Sequence, residues 1–202
     1  MKSLICMLAT LVAPLIVHAQ GKPAPAVVEM LQEEFVMSSS DRAVHSVKSR
    51  VTVNSEEGAE AAVFSETTDS YRMLTAFSAT TIVNGKKIKA KLTDVETIHS
   101  SGSLVDDVVS NYYVPEASFP YTVEYEYTIT YKNGVPSFPV FLPVKTYDIP
   151  VTRASFSISV PSGTRIMYRS SDGPTISRSE GNDLYFWTYS DIPPLKKESM
   201  MP

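Results

Sequence analysis

The chain has 202 residues, a net charge of −4 and a single cysteine, Cys6. That length supports one sizeable core or two small ones, and the negative balance offers no attraction to phosphate backbones or anionic lipid surfaces, so nucleic acid is not an expected partner. Cys6 lies in a segment with the marks of an export leader; once that segment is removed, no cysteine nucleophile, disulfide or thiolate metal site is left.

Lys2 supplies the basic start of the leader, Leu4 to Val17 its apolar stretch, and Val17-His18-Ala19 a small-residue cleavage pattern. The stretch is too short for a membrane span, and Gln20, Gly21, Lys22, Pro23 and Pro25 break the composition sharply after it. Cleavage is expected after Ala19, giving a leader over 1–19, an exported β domain over 20–191 and a linker-like tail over 192–202, with no membrane span once the leader is gone.

Along the mature chain Thr, Val, Tyr and Ser recur with period two between turn dipeptides, and no helical stripe extends over a dozen residues, so the class is mainly β. Ala26 to Glu34 favours helix by local propensity although its flanks read as strand, and Glu56 to Glu66 is ambiguous in the same way; at most short helices are expected there. Phe35 and Val36 lead into a turn at Ser38 to Asp41, and Ala43 to Val53 alternates as the returning strand.

Thr75 to Val83 and Lys86 to Leu92 form a hairpin through Asn84-Gly85, whose residues tolerate the positive φ of a type I′ turn. Lys86, Lys87, Lys89 and Lys91 mark the second strand as a lysine-guarded edge. Tyr121 to Tyr131 is the strongest strand. Tyr121, Val123, Tyr125, Tyr127, Ile129 and Tyr131 share one face, and Thr122, Glu124, Glu126, Thr128 and Thr130 the other.

Pro136, Pro139 and Pro143 exclude an interior strand from the apolar run that follows and predict an extended edge or crossover. Ala154 to Val160, Arg165 to Arg169, Thr175 to Ser179 and Leu184 to Tyr189 then read as an antiparallel meander. The whole is an antiparallel β-sandwich-like architecture, with two packed sub-layers at about 27–148 and 149–191.

Neither His45 nor His99 belongs to a catalytic or metal-ligand spacing, and His45 shares its face with Ala43, Val47, Val51 and Val53, which reads as a structural histidine. His99 precedes the hydroxyl-rich Ser100 to Ser103 with no nucleophile elbow beside it. Glu124 and Glu126 have the spacing of paired glycosidase carboxylates, as does any solvated strand face with glutamates at i and i+2. Asp106 and Asp107 point to opposite faces if extended, leaving one that could join Asp94. Tyr185, Trp187 and Tyr189 align on one face of the last strand, either as a platform for sugar rings or as the inner face of a sandwich, and Tyr112-Tyr113 is a second aromatic pair. No cofactor and no metal site is expected.

Asp107 through Pro115 (DVVSNYYVP), Tyr121 through Tyr127, Phe138-Pro139 and Pro143 resemble the uncharacterised β-rich domain that precedes transglutaminase-like domains in exported proteins of Gram-negative bacteria. Ser70 through Leu74, Asn84-Gly85-Lys86 and the lysine-rich strand to Asp94 agree in order and spacing, so the likeness covers about residues 27–198. It implies a β-sandwich-like accessory domain in the periplasm or at the cell surface, followed elsewhere by a Cys-His-Asp catalytic unit. With no cysteine left after leader removal, no transglutaminase activity carries over to any residue here. The resulting expectation is a non-catalytic domain that binds or positions a protein or glycan partner in the cell envelope. A carbohydrate-active or carbohydrate-binding protein and a structural envelope subunit are the alternatives.

Overall fold

The computed structural model describes residues 23–100 and 108–196; the leader, Asp106, Asp107 and the tail beyond Lys196 lie outside the described residues. Within them the strands are β1 (Ala26–Ser39), β2 (Arg42–Val53), β3 (Phe64–Thr68), β4 (Arg72–Val83), β5 (Lys86–Lys91), β6 (Glu96–His99), β7 (Val109–Tyr113), β8 (Tyr121–Tyr131), β9 (Val151–Pro161), β10 (Thr175–Arg178) and β11 (Asn182–Ile192). They form an eight-stranded sheet, ordered β10-β11-β9-β1-β2-β8-β4-β5, and a three-stranded sheet, ordered β3-β7-β6. No helix among the described residues is long and apolar enough to cross a membrane.

The mainly β expectation holds. Among the described strands every pairing is antiparallel except one: β1 pairs in parallel with β9, which makes the large sheet mixed. β1 also settles the ambiguity at Ala26 to Glu34. Its residues alternate, with Leu31, Glu33 and Phe35 buried and Gln32 and Glu34 exposed. It is laddered on both sides, by β2 and β9, so two non-local partners override its helical propensity. Glu56 to Glu66 divides into a 3-10 segment, Glu56–Ala62, and the start of β3.

One face of the large sheet carries the core. Phe35, Val47, Val53, Val123, Val151 and Val160 are fully enclosed there, and the odd-numbered face of β8 is buried from Tyr121 to Tyr131. The small sheet covers part of this face. Phe64 lies 4.7 Å from Phe77 and 5.0 Å from Tyr127, and Tyr113 packs edge-on against Tyr125. Tyr125 donates its hydroxyl proton to the Ala62 carbonyl at 2.6 Å, fixing the 3-10 segment to the sheet.

The direction of β9 determines what covers the rest. β1 is antiparallel to β2 and β2 to β8, so β8 runs the same way as β9, two strands beyond it across β1 and β2. The link from Tyr131 to Val151 must therefore return along the sheet and cross two strands. It does so without strand or helix, as the proline-bearing strap foreseen from Pro136, Pro139 and Pro143. Phe138 of the strap packs edge-on against Phe35, and Phe141 stacks on Phe156 at 5.2 Å.

Two details of the meander differ from the sequence reading. Arg165 to Arg169 forms no strand; it belongs to an irregular loop from Thr164 to Pro174. β10 and β11 also exchange their expected places, since β11 pairs with β9 over its whole length and β10 is pushed to the edge. An eleven-residue strand matches β9 better than a four-residue one. The lysine-rich β5 occupies the opposite edge, as expected.

Candidate functional site

Of three cavities that border the strap on the core face, one of about 190 Å³ is lined mainly by apolar and aromatic side chains, and the other two are larger. The largest of the three, about 690 Å³, is a groove floored by Phe156 and Ile158 of β9 and Trp187 and Tyr189 of β11. Its walls are Phe138 to Phe141 of the strap and Ile166 to Ser171 of the irregular loop. Both walls stand outside the strand ladders and expose apolar side chains: Val140 is 79% accessible and Met167 89%. A run of rings lines the groove. Tyr189 stacks on Phe141, Phe141 on Phe156 and Phe156 on Trp187, and Tyr168 of the loop meets Trp187 edge-on at 5.6 Å.

Trp187 and Tyr185 are only 6% and 7% accessible, so they do not form an open platform. Tyr189 is half-buried in the groove floor. The indole Nε1 of Trp187 is buried and has no hydrogen-bond acceptor among the described residues, which leaves a strong donor unsatisfied beside an apolar groove. Tyr112 and Tyr113 fall elsewhere: both are half-buried on β7, Tyr113 packing on Phe77 and Tyr125 beneath the small sheet.

The cavity of about 370 Å³ lies on the other side of the strap and is polar. Glu33 of β1 and His45 of β2 are buried at its floor, Glu66 of β3 and Arg72 of β4 line it, and Ser137, Val140, Leu142 and Lys145 of the strap frame it. His45 Nε2 lies 3.0 Å from Glu33 Oε2. Tyr127 donates its hydroxyl proton to Glu66 Oε1 at 2.6 Å. Arg72 is held by Asp69 through two bonds from Nε and Nη2, at 3.0 and 2.8 Å. Burial, reinforced by the charges of Glu66 and Glu33, pushes the Tyr127 phenol well above its ordinary range.

The structural reading of His45 thus gains a partner, Glu33, that sequence reasoning missed. A glutamate in an otherwise alternating apolar face was the available signal, and the helical propensity of the segment obscured it. Glu124 and Glu126 lie on the open face of the large sheet in separate ion pairs. Arg50 bonds Glu124 and Glu29, and Lys48 Nζ lies 2.9 Å from Glu126. His99 ends β6 in an exposed position, and Asp94 accepts the Lys91 backbone N–H as a turn cap. Among the described residues no group of three or more His, Cys, Asp or Glu is placed to hold a metal.

The family model described as "Domain of Unknown Function with solved-structure structure (DUF3857)" matches residues 39–196. The chain belongs to the DUF3857 family. This domain occurs N-terminal to transglutaminase-like domains. No curated protein matches the chain. Among solved structures, a "putative protease" from Parabacteroides distasonis is similar with a TM-score of 0.74 at 17% identity, over 88% of this chain and 38% of that one. The DUF3857 chain therefore shares its fold and spans well under half of that protein's length. An M1 zinc metallopeptidase from Deinococcus radiodurans (TM-score 0.34, 10% identity, 84% of this chain and 40% of that one) and yeast LTA4 hydrolase (0.37, 10%, 90% and 31%) are more distant.

Proposed function

We propose that this DUF3857 domain is an exported, non-catalytic binding domain that seats an extended segment of a partner polypeptide in the aromatic groove beside the strap. The observation that carries this reading is the buried indole N–H of Trp187, left without an acceptor at a groove otherwise lined by apolar side chains. An extended peptide supplies what the groove lacks, since its carbonyls are acceptors and its apolar or proline side chains suit aromatic walls. An oligosaccharide needs an open ring face and several polar partners for its hydroxyls. Here Trp187 is already stacked on Phe156 and enclosed. Because Nε1 is shut off from solvent, the occupant reaches it by displacing the loop Ile166 to Ser171, which no strand ladder holds.

Trp187 is the single tryptophan of the chain, so its fluorescence reports on the groove alone. Titration with short, uncharged proline- and leucine-bearing peptides is expected to shift its emission saturably, while soluble oligosaccharides leave it unchanged. Trp187→Phe keeps an aromatic ring, though a smaller one, and removes the donor, and calorimetry should show about tenfold weaker peptide binding, the worth of one hydrogen bond of about 1.4 kcal/mol. Saturable binding of the sugars instead, or full peptide affinity in Trp187→Phe, defeats the reading.

A further inference from the structure

The polar side chains that line the aromatic groove are unbalanced in one direction. Arg169 is the single charged residue of the lining, which includes no Asp, Glu, Asn, Gln or His. The indole N–H of Trp187 and the guanidinium of Arg169 can only donate. Both lack a partner: the buried Nε1 has no acceptor among the described residues, and Arg169 makes neither a hydrogen bond nor an ion pair with any of them. Asp172, the one acidic residue of the loop, accepts the Ser171 hydroxyl instead. The other polar side chains of the lining, Ser137, Ser170, Ser171 and two tyrosines, are hydroxyls, which donate as readily as they accept.

A neutral peptide satisfies the indole and leaves the guanidinium with nothing. Arg169 follows Tyr168, whose ring meets Trp187 edge-on at 5.6 Å. The acceptors that answer the two donors must therefore lie close together on the occupant. At the end of a polypeptide the carboxylate is one residue, about 3.8 Å, from the last carbonyl. An acidic side chain within a passing extended chain stands roughly perpendicular to the line of its carbonyls, so it is placed less well to answer both.

We propose that the groove captures the C-terminal end of a polypeptide, with Arg169 receiving the α-carboxylate and Trp187 the carbonyl before it. This ligand rests on the groove reading and narrows its occupant to an apolar segment with a free carboxylate. The planar guanidinium matches the two carboxylate oxygens as a fork, so it supplies orientation as well as charge. Arg169 also belongs to the loop that must move to admit a ligand, so its ion pair draws that loop back over the occupant.

The test is calorimetry on the whole chain with N-acetylated peptides of one proline- and leucine-bearing sequence, ending either in a free carboxylate or in an amide. The free acid is expected to bind about fivefold more tightly at low ionic strength, the upper range for an exposed ion pair, and to lose that advantage in high salt. Arg169→Gln should erase the difference between acid and amide. Arg165→Gln removes the same charge from the same loop, off the groove lining, and should keep it. Both arginines are exposed on a segment that no strand ladder holds, so neither substitution threatens the fold.

Equal binding of acid and amide to the parent chain overturns the assignment and leaves the groove reading standing. So does a difference that survives Arg169→Gln, or one that vanishes in Arg165→Gln as well. An amide-capped peptide with its last residue changed to aspartate should bind no better than the neutral amide; if it matches the free acid, the groove reads acidic side chains and the chain end is overturned. Peptides that in neither form bind or shift Trp187 emission defeat the groove reading and this ligand together.

Discussion

A methyl group added at Gly58 would stand 2.1 Å from the Pro25 carbonyl oxygen and 2.8 Å from the Ala26 side chain. That oxygen already accepts the backbone N–H groups of Asn54 and Ser55, and Ala26 is fully buried, so neither neighbour can retreat cheaply. Gly58→Ala should cost about 2–3 kcal/mol, the upper range for forced overpacking. The expected drop in melting temperature is roughly 5–10 °C for a domain of this size; an unchanged value would mean the 3-10 segment is free to shift away from β1. The same closeness explains why residue-level reading has limits. Trp187 and Tyr189 were legible as an aligned pair from period two, but whether they formed a platform or a core depended on Phe141 and Tyr168, which arrive from remote, irregular segments.

The two edges of the large sheet are protected differently. At one edge β5 carries Lys86, Lys87, Lys89 and Lys91 on four of its five exposed positions, Ala90 alone being buried, and at the other β10 is limited to four residues. Lysines discourage a second chain from pairing because their charges cannot be desolvated against another strand. Replacing Lys87 and Lys89 by valine should leave the fold intact and add concentration-dependent aggregation beyond that of the parent, measured by light scattering. A scattering profile indistinguishable from the parent would mean that something other than charge shields this edge. The guarded edge was readable because it is a local pattern: alternating lysines after an Asn-Gly turn. The parallel β1–β9 pairing was not, because it depends on a strap whose prolines announce only that it is extended, not which strands it crosses. Arg165 to Arg169 failed for the complementary reason. Its residues suit a strand, but β11 had already filled the place beside β9.

At the scale of the molecule, one strand joins the two sheets, and its tyrosines couple stability to pH. Burial pushes the phenols of Tyr121, Tyr125, Tyr127 and Tyr131 above the ordinary value of 10.0. Below that value folded and unfolded chains both keep these protons, so the tyrosines add no pH dependence. Above it the unfolded chain releases protons that the folded chain retains, and stability falls with rising pH. On the acid side the sign reverses. A hydrogen bond from Thr52, helped by Arg50 and opposed by burial, lowers the Glu29 carboxyl. At Asp69 burial works upward but is outweighed by the bonds from Arg72 and the Tyr71 backbone, so that carboxyl is lowered too. Those contributions are complete above the ordinary carboxyl values of 4.5 and 3.8 and fade as pH falls through the lowered ones. Denaturant midpoints should therefore form a plateau through neutral pH with a decline at each end. The alkaline decline is the sharper test, because tyrosinate absorbance from these four rings should appear together with unfolding rather than before it. Tyrosinate that rises gradually while the sheet is still folded would mean that solvent reaches β8, and that the small sheet and the strap do not cover the core face as a unit.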